Sequence, residues 1–143
     1  HGREHSFPTR RSSDLYHAKD IWPHFVSCVL VVRQELIDQH PEVVRDLVRG
    51  IAESGEWAET HRMDAAKVAA PYYRQDPKLL AYVLSQQPDR VSYRMLTPTD
   101  DDLTEIMRYA IKAGILERPI ALTDLVDRRF IPAHIDAARI TPP

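Results

Sequence analysis

The chain has 143 residues, of which 43% are hydrophobic and 28% are charged, with a formal net charge of −2. This composition is typical of one globular domain or part of one, and the charge balance argues against a nucleic-acid-binding surface, which needs a clustered positive excess. Cys28 is the one cysteine, which excludes an internal disulfide and a four-cysteine zinc site. The apolar runs are shorter than the roughly 18 residues that a membrane-spanning helix needs, so none is predicted.

The first segment, residues 1–15, is predicted to lie outside the folded protein. His5–Leu15 has the sequence HSFPTRRSSDL, which resembles the in-frame translation of a common short-read sequencing adapter. A natural basic arm rich in serine and arginine is the alternative. We therefore predict an artefactual or disordered leader and expect the protein sequence itself to begin near Tyr16.

An apolar run, SCVLVV, follows at Ser27–Val32. Its short length and β-branched residues favour a buried strand over a helix. Cys28, inside this run, is expected to be a small buried side chain rather than a nucleophile. Because one strand cannot form a sheet, the pattern indicates a chain cut from a larger α/β protein.

Helical patterns occupy most of the remaining sequence. Pro41 opens the first of them, because a proline at the first helical position loses no hydrogen bond. Val44, Leu47, Val48 and Ile51 then form an apolar stripe at helical spacing. The first predicted helix runs from Pro41 to about His61, the second covers Ala65–Ala70 and is ended by Pro71, and the third runs from Pro77 to a stop at Pro88. The fourth begins between Thr97 and Thr99 and ends at a cap on Gly114, and the last is Leu122–Arg129.

Four short features stand in a distinctive order along the chain. The triplet His40-Pro41-Glu42 opens the long helix, and Trp57 ends its second half. Ala113-Gly114-Ile115 closes a later helix and precedes the segment Leu122–Phe130. In this order, over roughly Ala18–Pro132, the chain resembles the C-terminal part of periplasmic substrate-binding proteins of the nitrate/sulfonate/taurine class of ABC importers.

The resemblance implies an α/β fold of two lobes, the type II periplasmic-binding-protein fold, which closes on a small molecule. The surviving part is expected to be mostly helical with one or two short strands. Residues 16–132 would supply a hinge strand and a helical buttress, and residues 133–143 a tail. The implied partners are a small-molecule ligand, such as an anion, and an ABC permease. The implied location is the periplasm or the cell surface, with no enzymatic activity and no cofactor.

Three residues just before the predicted hinge strand are candidates for ligand binding: Trp22, His24 and Ser27. This region faces the cleft in the family, and aromatic walls with hydroxyl donors suit a small oxyanion or an aromatic solute. The alternative is that Trp22 packs and His24 is solvated. The histidines lack metal-ligand spacing and no nucleophilic triad is visible, so the sequence predicts neither a metal site nor a catalytic residue.

Two other functions stay open from the sequence. An enzyme similar to the pyrimidine-precursor synthases for thiamin shares the same scaffold, and a stand-alone helical interaction domain needs no second lobe. The sequence upstream of Tyr16 discriminates among them. A signal peptide or lipobox favours the receptor, whereas a cytosolic start with a pyridoxal-binding lysine favours the enzyme.

Overall fold

A computed structural model describes residues 18–23, 25–85 and 91–142 of the chain. Its α-helices are α1 Ala18–Ile21, α2 Gln34–Gln39, α3 Pro41–Thr60, α4 Arg62–Tyr73, α5 Pro77–Ser85, α6 Asp100–Lys112 and α7 Leu122–Leu125. Short 3-10 helices follow at Arg128–Phe130 and Ala137–Arg139. Among these residues no helix has the combination of length and apolar character that a membrane crossing requires.

The α/β prediction is wrong for the described residues, which contain helices and no β-strand. Ser27–Val32 is extended but unpaired, and its side chains lie at the surface: Val29 is 63% exposed and Val31 84%. Cys28, expected to be buried, is also exposed. The β-branched composition favours an extended backbone, but a strand also needs a neighbouring strand for its backbone hydrogen bonds. No such neighbour lies beside this segment in the described part of the chain.

The long helix predicted from Pro41 is confirmed as α3, with the proline in its first turn. Its apolar stripe is only partly covered. Val44 is 2% exposed, whereas Leu47 and Ile51 are 43% and 44% exposed. Part of the apolar face of α3 is therefore open to solvent.

The two ends of α6 are confirmed as predicted. Thr99 Oγ1 accepts a hydrogen bond from the Asp102 backbone N–H at 3.1 Å, and Asp102 Oδ2 accepts one from the Thr99 N–H at 2.9 Å, which forms a capping box. Gly114 has a φ of 72°, and the Ile115 N–H donates to the Ala110 carbonyl at 2.9 Å. This closure is a Schellman motif. The hydrophobic contact that often accompanies this motif is not made by Ile115, whose side chain is 81% exposed.

Two other helices differ from their predicted bounds. Helix α4 begins at Arg62 rather than Ala65, because the His61 carbonyl already accepts from the Ala65 N–H at 2.8 Å. Pro71 lies inside its last turn instead of ending it, and the left-handed residue Arg74, with a φ of 51°, follows the helix. The predicted helix Leu122–Arg129 is divided into α7 and the first 3-10 helix by extended residues.

The buried hydrophobic core is small and is distributed over α3, α4, α6 and the first 3-10 helix. Its members are Val44, Ala65, Ala66, Ala70, Leu103, Met107 and Phe130. Helices α4 and α5, joined by residues 74–76, pack on each other, and α3 contacts α2, α4 and both 3-10 helices. Because three of the core residues are alanines, the core buries little side-chain area, while many larger apolar side chains stay exposed.

Candidate functional site

Trp22, a predicted ligand-binding residue, packs against α6. Its indole Nε1–H donates to Glu105 Oε2 at 2.8 Å. Its ring centroid lies 5.4 Å from that of Phe25 and 5.0 Å from that of Tyr109, the latter in an edge-on arrangement. These contacts hold the segment that follows α1 against helix α6. Each aromatic pair contributes about 0.5–1.5 kcal/mol to stability beyond the effect of its buried area.

The surroundings of Trp22 combine aromatic surface with one paired set of charges. Glu105 Oε1 accepts from Arg108 Nη2 at 3.3 Å, and the Arg108 guanidinium lies 4.9 Å from the Tyr109 ring centroid. The rings of Trp22 and Tyr109 are in direct contact, with no space between them. Phe25 and Tyr109 are nevertheless 44% and 45% exposed to solvent. A solute would therefore meet the outer faces of these rings rather than a space between them.

The other two predicted ligand-binding residues are Ser27 and His24. Ser27 is exposed in the extended segment. His24 lies outside the described residues, as does the predicted leader. Ligand binding by Trp22, His24 and Ser27 therefore stays a prediction, with an observed packing role for Trp22.

An apolar groove of about 440 Å³ lies between the extended segment and helices α2 and α3. Its lining residues are Leu30, Val31, Val32, Arg33, Glu35, Leu36, Gln39, His40 and Leu47. Its charged groups form a local ion pair, in which Arg33 lies 3.2 Å from Glu35. Sequence reasoning missed this groove because it assigned residues 30–32 to the interior of a sheet.

The features of α3 that carry the sequence resemblance lie at its two ends. At the start, His40 Nδ1 lies 3.5 Å from Glu42 Oε1. At the end, the Trp57 and His61 rings stack with centroids 5.2 Å apart and planes 7° apart. Both contacts are local to the helix ends, so the structure gives these residues a role in defining α3.

A second cluster, which sequence reasoning also missed, is centred on Glu59 at the end of α3. Its side chain is 6% exposed. Glu59 Oε1 accepts from Arg62 Nη2 at 2.7 Å and from Arg94 Nε at 3.0 Å, and Oε2 accepts from the Tyr93 backbone N–H at 2.9 Å. Arg62 Nη1 also donates to the carbonyls of Leu84, at 2.6 Å, and Val91, at 3.0 Å.

The electrostatics of this Glu59 cluster are those of a satisfied carboxylate. The Tyr93 backbone hydrogen bond, followed by Arg62 and Arg94, holds the pKa of Glu59 below its ordinary value, although burial opposes the shift. Burial also raises the pKa of the Tyr93 phenol. Because both carboxylate oxygens have donors, Glu59 joins α3, α4 and residues 91–94 rather than serving as a general base. The three-residue spacing of Glu59 and Arg62 is visible in the sequence, but nothing in the sequence indicates that Tyr93 and Arg94 lie beside them.

The described ranges contain no group of three or more His, Cys, Asp and Glu side chains that could hold a metal ion. The contacts around Trp22 and Glu105 are a hydrogen bond, an ion pair and aromatic packing. The Glu59 cluster consists of ion pairs and of hydrogen bonds to side chains and backbone. Neither presents an open set of ligands.

Residues 14–72 match the NMT1-like family, over about two fifths of the chain. The matched range holds α1 to α3, most of α4, the groove and Trp22, but neither Tyr93 nor α6. The match is consistent with the nitrate/sulfonate/taurine-type binding proteins that the sequence resembles, and it suggests a solute-binding protein family in general. No curated protein and no solved structure matches the chain.

Proposed function

We propose that the protein is the solute-binding component of an ABC importer of the nitrate/sulfonate/taurine type. In the intact receptor a small molecule is held between two lobes and delivered to a membrane permease. The observation that carries this proposal is the NMT1-like match of residues 14–72, which includes the extended segment and the long helix α3. Ligand contacts from both lobes would favour the closed state because they add affinity only when the lobes meet.

Within that receptor, residues 16–132 are proposed to form a C-terminal part that does not bind ligand tightly alone. The open apolar surface supports this proposal. Val29, Leu30 and Val31 are exposed side by side, next to the exposed Leu47 of α3. Soluble monomers rarely leave contiguous apolar patches uncovered, so a covering surface elsewhere in the receptor explains them.

The proposed role is binding rather than catalysis, in the periplasm or at the cell surface. Glu59, whose side chain is 6% exposed, has both carboxylate oxygens occupied by donors, which supports a structural function for it. The proposed solute is a small molecule such as an oxyanion. It would use Trp22, His24 and Ser27, which lie in one stretch of the matched range.

The test uses the natural gene that encodes residues 16–143, read in full and expressed as the complete protein. Its tryptophan fluorescence is titrated with nitrate, taurine and an alkanesulfonate. Saturable binding of one of these solutes is expected, together with a permease gene nearby. Binding of none of them, with a cytosolic start and a pyridoxal-binding lysine upstream, would favour the enzyme instead.

Trp22→Phe and Trp57→Phe form a matched pair of variants for the same titration, since they replace the two tryptophans of the chain one at a time. If Trp22 contacts the solute, Trp22→Phe weakens binding and Trp57→Phe leaves it unchanged. Equal affinities in both variants would limit Trp22 to the packing on α6 that the structure shows.

A further inference from the structure

We draw no further inference here: the strongest candidate, the apolar groove between the extended segment Ser27–Val32 and helices α2 and α3, is an unpartnered surface, and nothing in the described part of the chain shows what covers it.

Discussion

Glu59 shows how one side chain connects parts of the sequence that lie far apart. Its carboxylate binds Arg62 in the next helix and the backbone of Tyr93, 34 residues away. The sequence places Glu59 and Arg62 three residues apart, so their ion pair is a local contact. It does not predict that residues 91–94 return to the same place, because that return depends on packing rather than on local sequence.

We predict that Glu59→Gln lowers the free energy of unfolding by about 1–3 kcal/mol, because the charged hydrogen bonds to Arg62 and Arg94 weaken and Arg62 loses its carboxylate. The measurement is the urea midpoint of the far-UV circular dichroism signal. Asp64→Asn is the control. Asp64 pairs with Lys67 at 2.8 Å, but its side chain is 56% exposed, so its loss is expected to change the midpoint little.

The same carboxylate gives the stability a dependence on pH. The pKa of Glu59 is lowered in the folded protein. Its contribution is therefore present above the unfolded value of about 4.3 and is lost as the pH falls through the lower folded pKa. Wild type is expected to lose more stability than Glu59→Gln between neutral pH and about pH 3. Parallel pH profiles of the two proteins would show that Glu59 is not the group responsible.

Two glycines of α3 allow a matched test of local packing. A Cβ on Gly50 would meet nothing within 4 Å, whereas one on Gly55 would lie 2.6 Å from Leu96 Cδ1. Gly50→Ala is expected to raise the free energy of unfolding by about 0.5–1 kcal/mol, since alanine favours the helix. Gly55→Ala should gain less, because Leu96 must move.

Replacing Leu96 by alanine separates the two effects at Gly55. In the Leu96→Ala background, Gly55→Ala is expected to recover the gain seen for Gly50→Ala in urea denaturation. If Gly55→Ala stabilises wild type as much as Gly50→Ala does, the close approach of Leu96 to α3 is wrong.

Helix α6 illustrates which elements can be predicted from sequence. Thr99, Asp102 and Gly114 set its ends through hydrogen bonds within a few residues, so local chemistry was sufficient. Ser27–Val32 was predicted wrongly because its pairing depends on other strands. The end of α4 was predicted wrongly for a different reason. Pro71 was expected to stop the helix, whereas it lies within the last turn and the helix continues to Tyr73.

We predict that Thr99→Ala lowers the free energy of unfolding by about 1 kcal/mol through loss of the N-cap hydrogen bond. Thr104→Ala, at an exposed position within α6, is the control and is expected to be neutral or slightly stabilising. Thermal unfolding followed by circular dichroism measures both variants. An equal effect of the two substitutions would exclude a specific role for the cap.

The docking of Trp22 on α6 has its own spectroscopic test. In a Trp57→Phe background, Trp22 is the remaining tryptophan. Glu105→Ala removes the acceptor of its indole N–H, so its emission is expected to shift to longer wavelength as the ring becomes more exposed to water. Glu117→Ala, an exposed acid outside α6, is the control. Unchanged emission in Glu105→Ala would contradict the packing of Trp22.

At the scale of the whole molecule, the described residues form a helical assembly whose apolar surface is only partly buried. Val44, Leu103 and Met107 are enclosed, but Val31 of the extended segment is 84% exposed. The sequence predicted that the apolar residues of Ser27–Val32 are buried, whereas most of them are exposed in the described chain. It assigned them to a strand because it could not show what lies beside them.

We propose that this open surface is covered in a larger solute receptor, and the most direct test is the reactivity of Cys28 toward a thiol reagent such as DTNB. Cys28 is exposed within the apolar segment. In this chain it should react in native buffer almost as fast as in urea, and in the complete receptor at least about tenfold more slowly, as buried thiols are poorly accessible. Slow reaction in this chain, or equal rates in both proteins, would contradict the claim.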